Sequence, residues 1–301
     1  MSAPSLIDLN PFHGVWAPII TPFSDDDQVD HTALGRLAAR LATSGLAGLV
    51  VCGSTGEAAA LSPEEQLACL HTVAQHAPEL PVIMGVSGYH LGKMQGWLAE
   101  LGRSGPPLAG VLLPAPCYVR PSQAGLAAWF TQLADVSPAP LVLYDIPYRT
   151  GTVIDTSTLL ALAAHPNISA IKDCGGDGTK MQALLRDGRL AVLAGEDVQM
   201  LSTLALGGTG AIAACAQVHP ERFVTVARAA ARSDLDSARQ GWHALAPLVQ
   251  ALFAEPNPGP LKALLASEGW CQDRLRLPMT SASAATRAHV IALSRTLGPM
   301  L

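Results

Sequence analysis

The sequence predicts an α/β protein, a (β/α)8 barrel followed by a C-terminal α-helical domain. Eight short runs within the first two thirds of the chain are almost continuously apolar, as in strands that are covered on both faces. Segments of helical periodicity separate these runs, and eight such units favour a closed barrel of parallel strands. From Pro220 onward the pattern is helical throughout. We therefore expect a barrel domain over 1–219 and a helical domain over 220–301.

The eight apolar runs define the predicted strands. They span 15–20, 46–52, 81–86, 109–113, 140–146, 168–171, 190–193 and 210–215. An open, doubly wound sheet is the competing architecture, but it would require a glycine fingerprint after the first strand. The first run is followed by Thr21-Pro22-Phe23 instead, which favours the barrel.

Helix signals complete the pattern. Ser62-Pro63-Glu64-Glu65 is a capping box with proline at the first helical position, and Asp30 is placed to cap the preceding helix. The C-terminal helices are predicted at 220–232, 234–253, 259–268 and 282–297, with the proline-rich segment 256–260 as a linker.

Composition excludes several function classes. A net charge of −5 without a basic run argues against nucleic acid and anionic membrane surfaces as partners. Six scattered cysteines without a Cys-x-x-Cys pair are typical of reduced thiols, and the N-terminus resembles no signal peptide, so we expect a cytoplasmic protein. The uncharged stretch 198–218 is broken by Gly207-Gly208-Thr209-Gly210, which favours a helix and a strand over a membrane span.

One of the four lysines, Lys172, interrupts a run that otherwise predicts a buried strand. Burying a lone ammonium group costs several kcal/mol unless it is paired or loses its proton. Lys172 is therefore either ion-paired for structural reasons or kept neutral as a nucleophile.

Polar residues cluster where the predicted strands end, which is where a parallel barrel gathers its functional groups. They form the motifs Gly53-Ser54-Thr55-Gly56-Glu57, Tyr144-x-x-Pro147-x-Arg149-Thr150-Gly151 and Ile171-Lys172-Asp173, together with Tyr118 and Gly195-Glu196-Asp197. Over 13–300 this set resembles the pyruvate-dependent class I aldolase superfamily of dihydrodipicolinate synthase and N-acetylneuraminate lyase, including the spacing of 28 positions between Tyr144 and Lys172. The resemblance implies the barrel fold with helical C-terminal domain.

The resemblance also implies catalytic roles. Lys172 corresponds to the lysine that forms a Schiff base with pyruvate, which requires that burial lower its pKa. Tyr144 corresponds to the phenol that relays protons, with Thr55 and Tyr118 as its partners. In the family, the equivalent of Tyr118 reaches into the site of a neighbouring subunit, so we expect a homodimer or homotetramer.

Further residues are implied as substrate-binding groups. Ser54 and Thr55 are expected to bind the pyruvate carboxylate, and Gly195 and Ile212 to line the pocket with their backbone. Arg149 matches the arginine that binds the carboxylate of aspartate semialdehyde in the synthases, and a guanidinium suits that role.

The chain departs from the synthase pattern at several positions. Cys117 and Val119 replace a tyrosine and an asparagine, and Ser54 replaces a threonine. Residues of different chemistry stand where lysine-inhibited synthases bind lysine, so we expect no lysine feedback; they are Pro63, Gln66, Tyr89 and Lys93.

The resemblance thus predicts a Schiff-base lyase that condenses pyruvate with an aldehyde, with 4-hydroxy-tetrahydrodipicolinate synthase as its best-supported form. An aldolase or dehydratase for another 2-keto acid, such as a keto-deoxy sugar acid, and a non-catalytic keto-acid-binding paralogue are the alternatives. We expect no cofactor and no metal, because the histidines form no His-x-His or His-Glu-x-x-His motif and a Schiff base makes a Lewis acid unnecessary.

Overall fold

The eight predicted strands are all present, and they close into one parallel barrel in sequence order. A computed structural model describes residues 11–298. The outer limits of the two predicted domains lie outside this range. So do the first ten residues, on which the expected absence of a signal peptide depends. The strands are β1 Gly14–Pro18, β2 Gly48–Val51, β3 Val82–Gly85, β4 Gly110–Pro114, β5 Leu141–Asp145, β6 Ile168–Asp173, β7 Ala191–Ala194 and β8 Gly210–Ile212.

Helices follow the strands around the barrel and then continue alone to the C-terminus. They are α1 His31–Ala42, α2 Pro63–His76, α3 Leu91–Ser104, α4 Gln123–Ala134, α5 Pro147–Thr150, α6 Thr156–Leu162, α7 Gly178–Asp187, α8 Met200–Ala205, α9 Pro220–Ala231, α10 Leu235–Leu252, α11 Gly259–Ser267 and α12 Ala284–Leu297. The capping box of α2 is formed as predicted, and Asp30 accepts a hydrogen bond from the Ala33 amide at the start of α1. The division into domains after residue 219 stays a prediction.

Two predicted strand ends differ from the structure. The last run was predicted to continue to 215, but β8 ends at Ile212 because the buried carboxylate of Asp197 accepts the backbone N–H groups of Ala214 and Cys215 at 3.0 and 2.7 Å. Conversely, β6 extends past the apolar run to include Lys172 and Asp173. The lysine therefore belongs to the strand ladder and is held by it.

The apolar core has two parts. One large cluster joins the outer faces of the strands to the helices. A second, smaller cluster lies inside the barrel and includes Trp16, Val142, Leu193 and Ile212. Because successive side chains of a strand point to opposite faces, Lys172 shares the interior face with Ala170, which belongs to this second cluster. The packed interior thus surrounds the lysine side chain with apolar groups.

Candidate active site

Lys172 lies inside the barrel next to Tyr144. The two residues are register partners on the neighbouring strands β6 and β5, and the Nζ atom of Lys172 lies 4.4 Å from the centre of the Tyr144 ring. Lys172 is only 5% exposed. Burial lowers the pKa of its ammonium group, although the nearby Cys174, Asp197 and Glu196 oppose this effect. The site therefore favours a neutral amine more than water does.

A comparison of the buried lysines separates the two interpretations of Lys172. Lys180 forms an ion pair with Asp145, and the Nζ atom of Lys262 lies 2.5 Å from a carboxylate oxygen of Glu57. Within residues 11–298, no carboxylate oxygen lies within 4.0 Å of the Lys172 Nζ atom. The structural, ion-paired interpretation therefore describes Lys180 and Lys262 but not Lys172.

Tyr144 is buried beside this amine, with 6% of its surface exposed. Burial raises the pKa of its phenol well above the usual value, while the Ser54 side chain acts in the opposite direction. The sequence analysis named Thr55 as the relay partner of Tyr144. The role of Thr55 in the relay stays a prediction; the Ser54 side chain is the group of this turn that acts on the pKa of the Tyr144 phenol.

Thr55 is buried, and its side chain is bound by a residue from the C-terminal part of the chain. Its hydroxyl accepts a hydrogen bond of 3.0 Å from the side-chain amide of Asn257. Asn257 was assigned to a linker by its proline-rich surroundings, and the sequence analysis missed its place in the site. No local pattern could reveal it, because the contact joins residues 202 positions apart.

The turn that carries Ser54 and Thr55 is tightly constrained. Glu57 adopts a left-handed conformation with φ of +53°, and a Cβ atom at Gly56 would lie 3.1 Å from the backbone oxygen of Ile19. The buried carboxylate of Glu57 pairs with Lys262 of α11 and accepts the backbone N–H of Arg276 at 3.2 Å. The C-terminal third of the chain thus fixes the turn from outside the barrel.

Arg149 lies in α5, directly after the strand that carries Tyr144. Its guanidinium stacks on the ring of Tyr148 with 5.4 Å between Cζ and the ring centre, and its Nε–H donates to the Tyr148 hydroxyl at 3.4 Å. Its positive charge acts on both Tyr144 and Lys172. Arg149 is exposed, so it can meet an anionic group at the mouth of the site.

Gly195 and Ile212 border the lysine from the following two strands. A Cβ atom at Gly195 would lie 2.9 Å from the Cγ atom of Lys172 and 2.4 Å from the sulfur of Cys174, so only glycine leaves room for both side chains. Ile212 is fully buried and belongs to the same interior cluster as Tyr144.

Tyr118 is not assembled with the other predicted residues within this chain. It is 93% exposed, whereas Tyr144 is 6% exposed. Its backbone has φ of +74°, a strained conformation for a residue with a large side chain. The loop therefore projects the phenol away from the surface of its own barrel.

Two further polar residues border the site, and the sequence analysis assigned no role to them. Cys174 follows β6 and is buried at 8% exposure, and the half-buried Glu196 follows β7. Burial raises the pKa of the Cys174 thiol well above its usual value, and the side chains of Glu196 and Tyr144 act on it in opposite directions. Cys174 lies two residues after Lys172 and directly after the end of β6, so the period of two along a strand could have identified it as an interior residue.

The described part of the chain contains no group of three or more His, Cys, Asp or Glu residues arranged to hold a metal ion. None of its helices is long and apolar enough to cross a membrane.

Comparisons with known proteins agree with this geometry. Residues 11–296 match the model of the dihydrodipicolinate synthetase family. The 4-hydroxy-tetrahydrodipicolinate synthase of Methanosarcina mazei is 35% identical over 96% of this chain and 99% of its own length. That of Sorangium cellulosum is 38% identical over 95% of this chain and 96% of its own. The crystal structure of dihydrodipicolinate synthase from Aquifex aeolicus superposes with a TM-score of 0.91 at 30% identity, covering 95% of this chain and 98% of that one. The chain therefore belongs to the dihydrodipicolinate synthase family.

Proposed function

We propose that this protein is a class I, Schiff-base-forming lyase that condenses pyruvate with L-aspartate 4-semialdehyde, a 4-hydroxy-tetrahydrodipicolinate synthase. The observation that carries the proposal is the Lys172 amine, which has no carboxylate partner within residues 11–298 and is buried inside the barrel 4.4 Å from the centre of the Tyr144 ring. Relatives at 35% and 38% identity over nearly the whole chain carry this name.

The first step is attack of the Lys172 amine on the keto carbon of pyruvate. Only the neutral amine is nucleophilic, and burial shifts the equilibrium towards that form. The attack forms a carbinolamine, which loses water to give the imine. That loss requires a proton on the departing hydroxyl group, and Tyr144 is the buried acid beside the amine.

Tyr144 then transfers protons during the formation of the carbon–carbon bond. Removing a proton from the methyl group of the imine gives the enamine, whose carbon attacks the aldehyde, and the aldehyde oxygen takes up a proton. Tyr144 can give and receive these protons, and the Ser54 side chain favours the phenolate because it lowers the pKa of the phenol. We assign the relay contact to Ser54, and we assign Thr55, which Asn257 fixes in place, to the pyruvate carboxylate.

The remaining assignments concern the two substrates. Arg149 suits the carboxylate of the semialdehyde, because it is an exposed cation next to the strand that carries Tyr144. Gly195 and Ile212 shape the wall around the imine, since Gly195 alone leaves space beside Lys172.

Tyr118 and the cysteines support two further assignments. An exposed tyrosine on a strained backbone is suited to a neighbouring subunit rather than to its own barrel, so we assign Tyr118 to the site of a partner chain in a homodimer or homotetramer. All six cysteines are free thiols, which suits the reducing cytoplasm.

The function is tested by incubating the protein with pyruvate and a panel of aldehydes and identifying the products by mass spectrometry. The panel contains L-aspartate 4-semialdehyde, succinate semialdehyde, which lacks the amino group, and glyceraldehyde as a precursor of keto-deoxy sugar acids. We expect the largest kcat/KM with L-aspartate 4-semialdehyde. A larger kcat/KM with glyceraldehyde would replace the proposal by a sugar-acid aldolase, and no product with any aldehyde would leave only keto-acid binding.

A further inference from the structure

A buried ion pair lies on the outer face of the barrel, one residue beyond Tyr144. Asp145 follows Tyr144 on β5, and successive side chains of a strand point to opposite faces. The carboxylate of Asp145 therefore points away from the barrel interior, where it pairs with the ammonium group of Lys180 from α7. Asp145 is fully buried and Lys180 is 3% exposed. The pair thus adjoins the strand end that presents Tyr144.

The ion pair binds the backbone of Ile154, nine residues further along the chain. Oδ1 of Asp145 accepts the Ile154 N–H at 3.2 Å, and the Nζ atom of Lys180 donates to the Ile154 carbonyl oxygen at 3.4 Å. Both polar backbone groups of this buried residue are therefore satisfied by the pair. The two ends of the loop 146–153 are joined where Asp145 meets Ile154.

Gln123, the first residue of α4, binds the residues on either side of Ile154. Its side-chain amide donates to the Val153 carbonyl oxygen at 2.9 Å, and its Oε1 atom accepts the Asp155 N–H at 3.0 Å. The returning segment 153–155 is therefore held by side chains from two helices, α4 and α7.

The loop that is closed in this way carries Arg149. The residue lies in α5, a single turn of four residues, and a helix of this length is not stable by itself. Tyr144 and Lys172, in contrast, are held by the backbone pairing of β5 with β6. The orientation of Arg149 thus depends on the side chains that close the loop, whereas the spacing of Tyr144 and Lys172 does not.

We propose that Lys180, paired with Asp145, and Gln123 form a clamp that positions Arg149 for the carboxylate of the aldehyde substrate. Lys180 and Gln123 are positioning residues, because both act through the loop from outside the barrel. The inference deepens the proposed function and rests on it. Recognition of the second substrate is then determined in part on the outer face of the barrel.

A purely structural ion pair is the alternative explanation. Attraction within a buried pair is offset by the cost of desolvating both charges, so burial alone gives the pair no particular role. The pair of Lys262 with Glu57 has the same chemistry and holds the turn of Ser54 and Thr55 instead. The two buried pairs therefore hold segments that are assigned to different substrates, and kinetics can separate their effects.

The experiment measures kcat/KM for pyruvate and for L-aspartate 4-semialdehyde, each with the other substrate saturating. We expect Lys180→Met to lower kcat/KM for the semialdehyde about tenfold, within the ~10²-fold that a small misplacement of a binding group costs. Gln123→Ala should lower it about threefold. Both variants should keep kcat/KM for pyruvate within about twofold of the unmodified enzyme. Lys262→Met should show the opposite division, with the larger decrease for pyruvate.

A second measurement asks whether the clamp acts through Arg149. In an Arg149→Ala background, Lys180→Met and Gln123→Ala should lower kcat/KM for the semialdehyde by no more than about twofold further, because residues that act through one group are not additive. Lys93→Met, which removes an exposed lysine, is the control and should change neither substrate. Gln123→Ala leaves the ion pair intact and decides the question if Lys180→Met fails to fold.

Three results would overturn the clamp and leave the proposed function in place. They are equal decreases for both substrates, an unchanged kcat/KM for the semialdehyde in Gln123→Ala, and the full decrease on top of Arg149→Ala. A purely structural pair predicts the first of these, together with a lower melting temperature. Failure of the unmodified protein to condense pyruvate with the semialdehyde would overturn the proposed function and the clamp with it.

Discussion

The side-chain amide of Asn257 lies 3.0 Å from the hydroxyl of Thr55, joining the segment before α11 to the turn after β2. The same turn is held a second time where Glu57 pairs with Lys262. The C-terminal helices therefore do more than cover the barrel. They determine how the turn presents Ser54 and Thr55 to the interior.

This contact predicts a specific effect of Asn257→Ala. Loss of a hydrogen bond of this kind costs about 0.5–1.5 kcal/mol, which corresponds to a decrease in kcat/KM for pyruvate of about two- to thirteenfold. The decrease should appear mainly as a higher KM, because Thr55 is assigned to the pyruvate carboxylate. Steady-state kinetics with pyruvate varied measures it. Gln272→Ala, which removes an exposed amide, serves as the control, and equal effects of both changes would argue against the contact.

Lys172→Ala should abolish the covalent adduct with pyruvate. Intact mass spectrometry after borohydride treatment should show a single pyruvate-derived addition on the unmodified protein and none on the variant. Lys93→Ala, which removes an exposed lysine, should still form the adduct. An addition that persists in Lys172→Ala would assign the nucleophile to another residue.

Adduct formation should depend on pH in the direction set by Lys172. The neutral amine reacts, so the initial rate of trapping is lost as the pH falls through the pKa of Lys172 and is retained above it. Because burial lowers this pKa below the 10.5 of an ordinary lysine, the rise should reach its midpoint below that pH. Trapping rates measured across the range test this, with an exposed lysine in a peptide as the reference. A midpoint at or above that of the peptide would contradict a desolvated amine.

Tyr144→Phe should retain the volume of the ring but lose the proton donor. We expect kcat to fall by ~10²–10⁴, the usual scale for a lost general acid–base group. Prolonged incubation with borohydride should still trap some adduct, since Lys172 remains. Tyr89→Phe, at a tyrosine that is 59% exposed, provides the matched change. A decrease in kcat below about threefold for Tyr144→Phe would remove this residue from the mechanism.

The exposure of Tyr118 predicts an oligomer. Light scattering should give a mass of at least two chains at concentrations used for activity assays. Tyr118→Ala should weaken this association and lower kcat, while Tyr89→Ala should change neither, because both tyrosines are exposed and only Tyr118 lies on a strained loop. Full activity in a monomer would refute a site shared between subunits.

The sequence by itself determined the fold and singled out Lys172 as the predicted nucleophile. Eight apolar runs were sufficient for the barrel, because strands covered on both faces must be apolar along their length. Lys172 stood out because burying an ammonium group in such a strand costs free energy unless the group is paired or neutral. The motif Gly53-Ser54-Thr55-Gly56-Glu57 located the turn that faces it.

Only the tertiary structure decided which side chains meet. The turn that carries Ser54 and Thr55 is fixed by the left-handed conformation of Glu57 and by the pairing of Glu57 with Lys262, which is 205 positions further along the chain. Asn257 and Glu196 are polar residues in ordinary loops until the barrel closes and brings them to the site. Motifs report local chemistry, whereas contacts between distant residues depend on how the whole chain packs. For that reason, Lys172 could be chosen from the sequence and its surroundings could not.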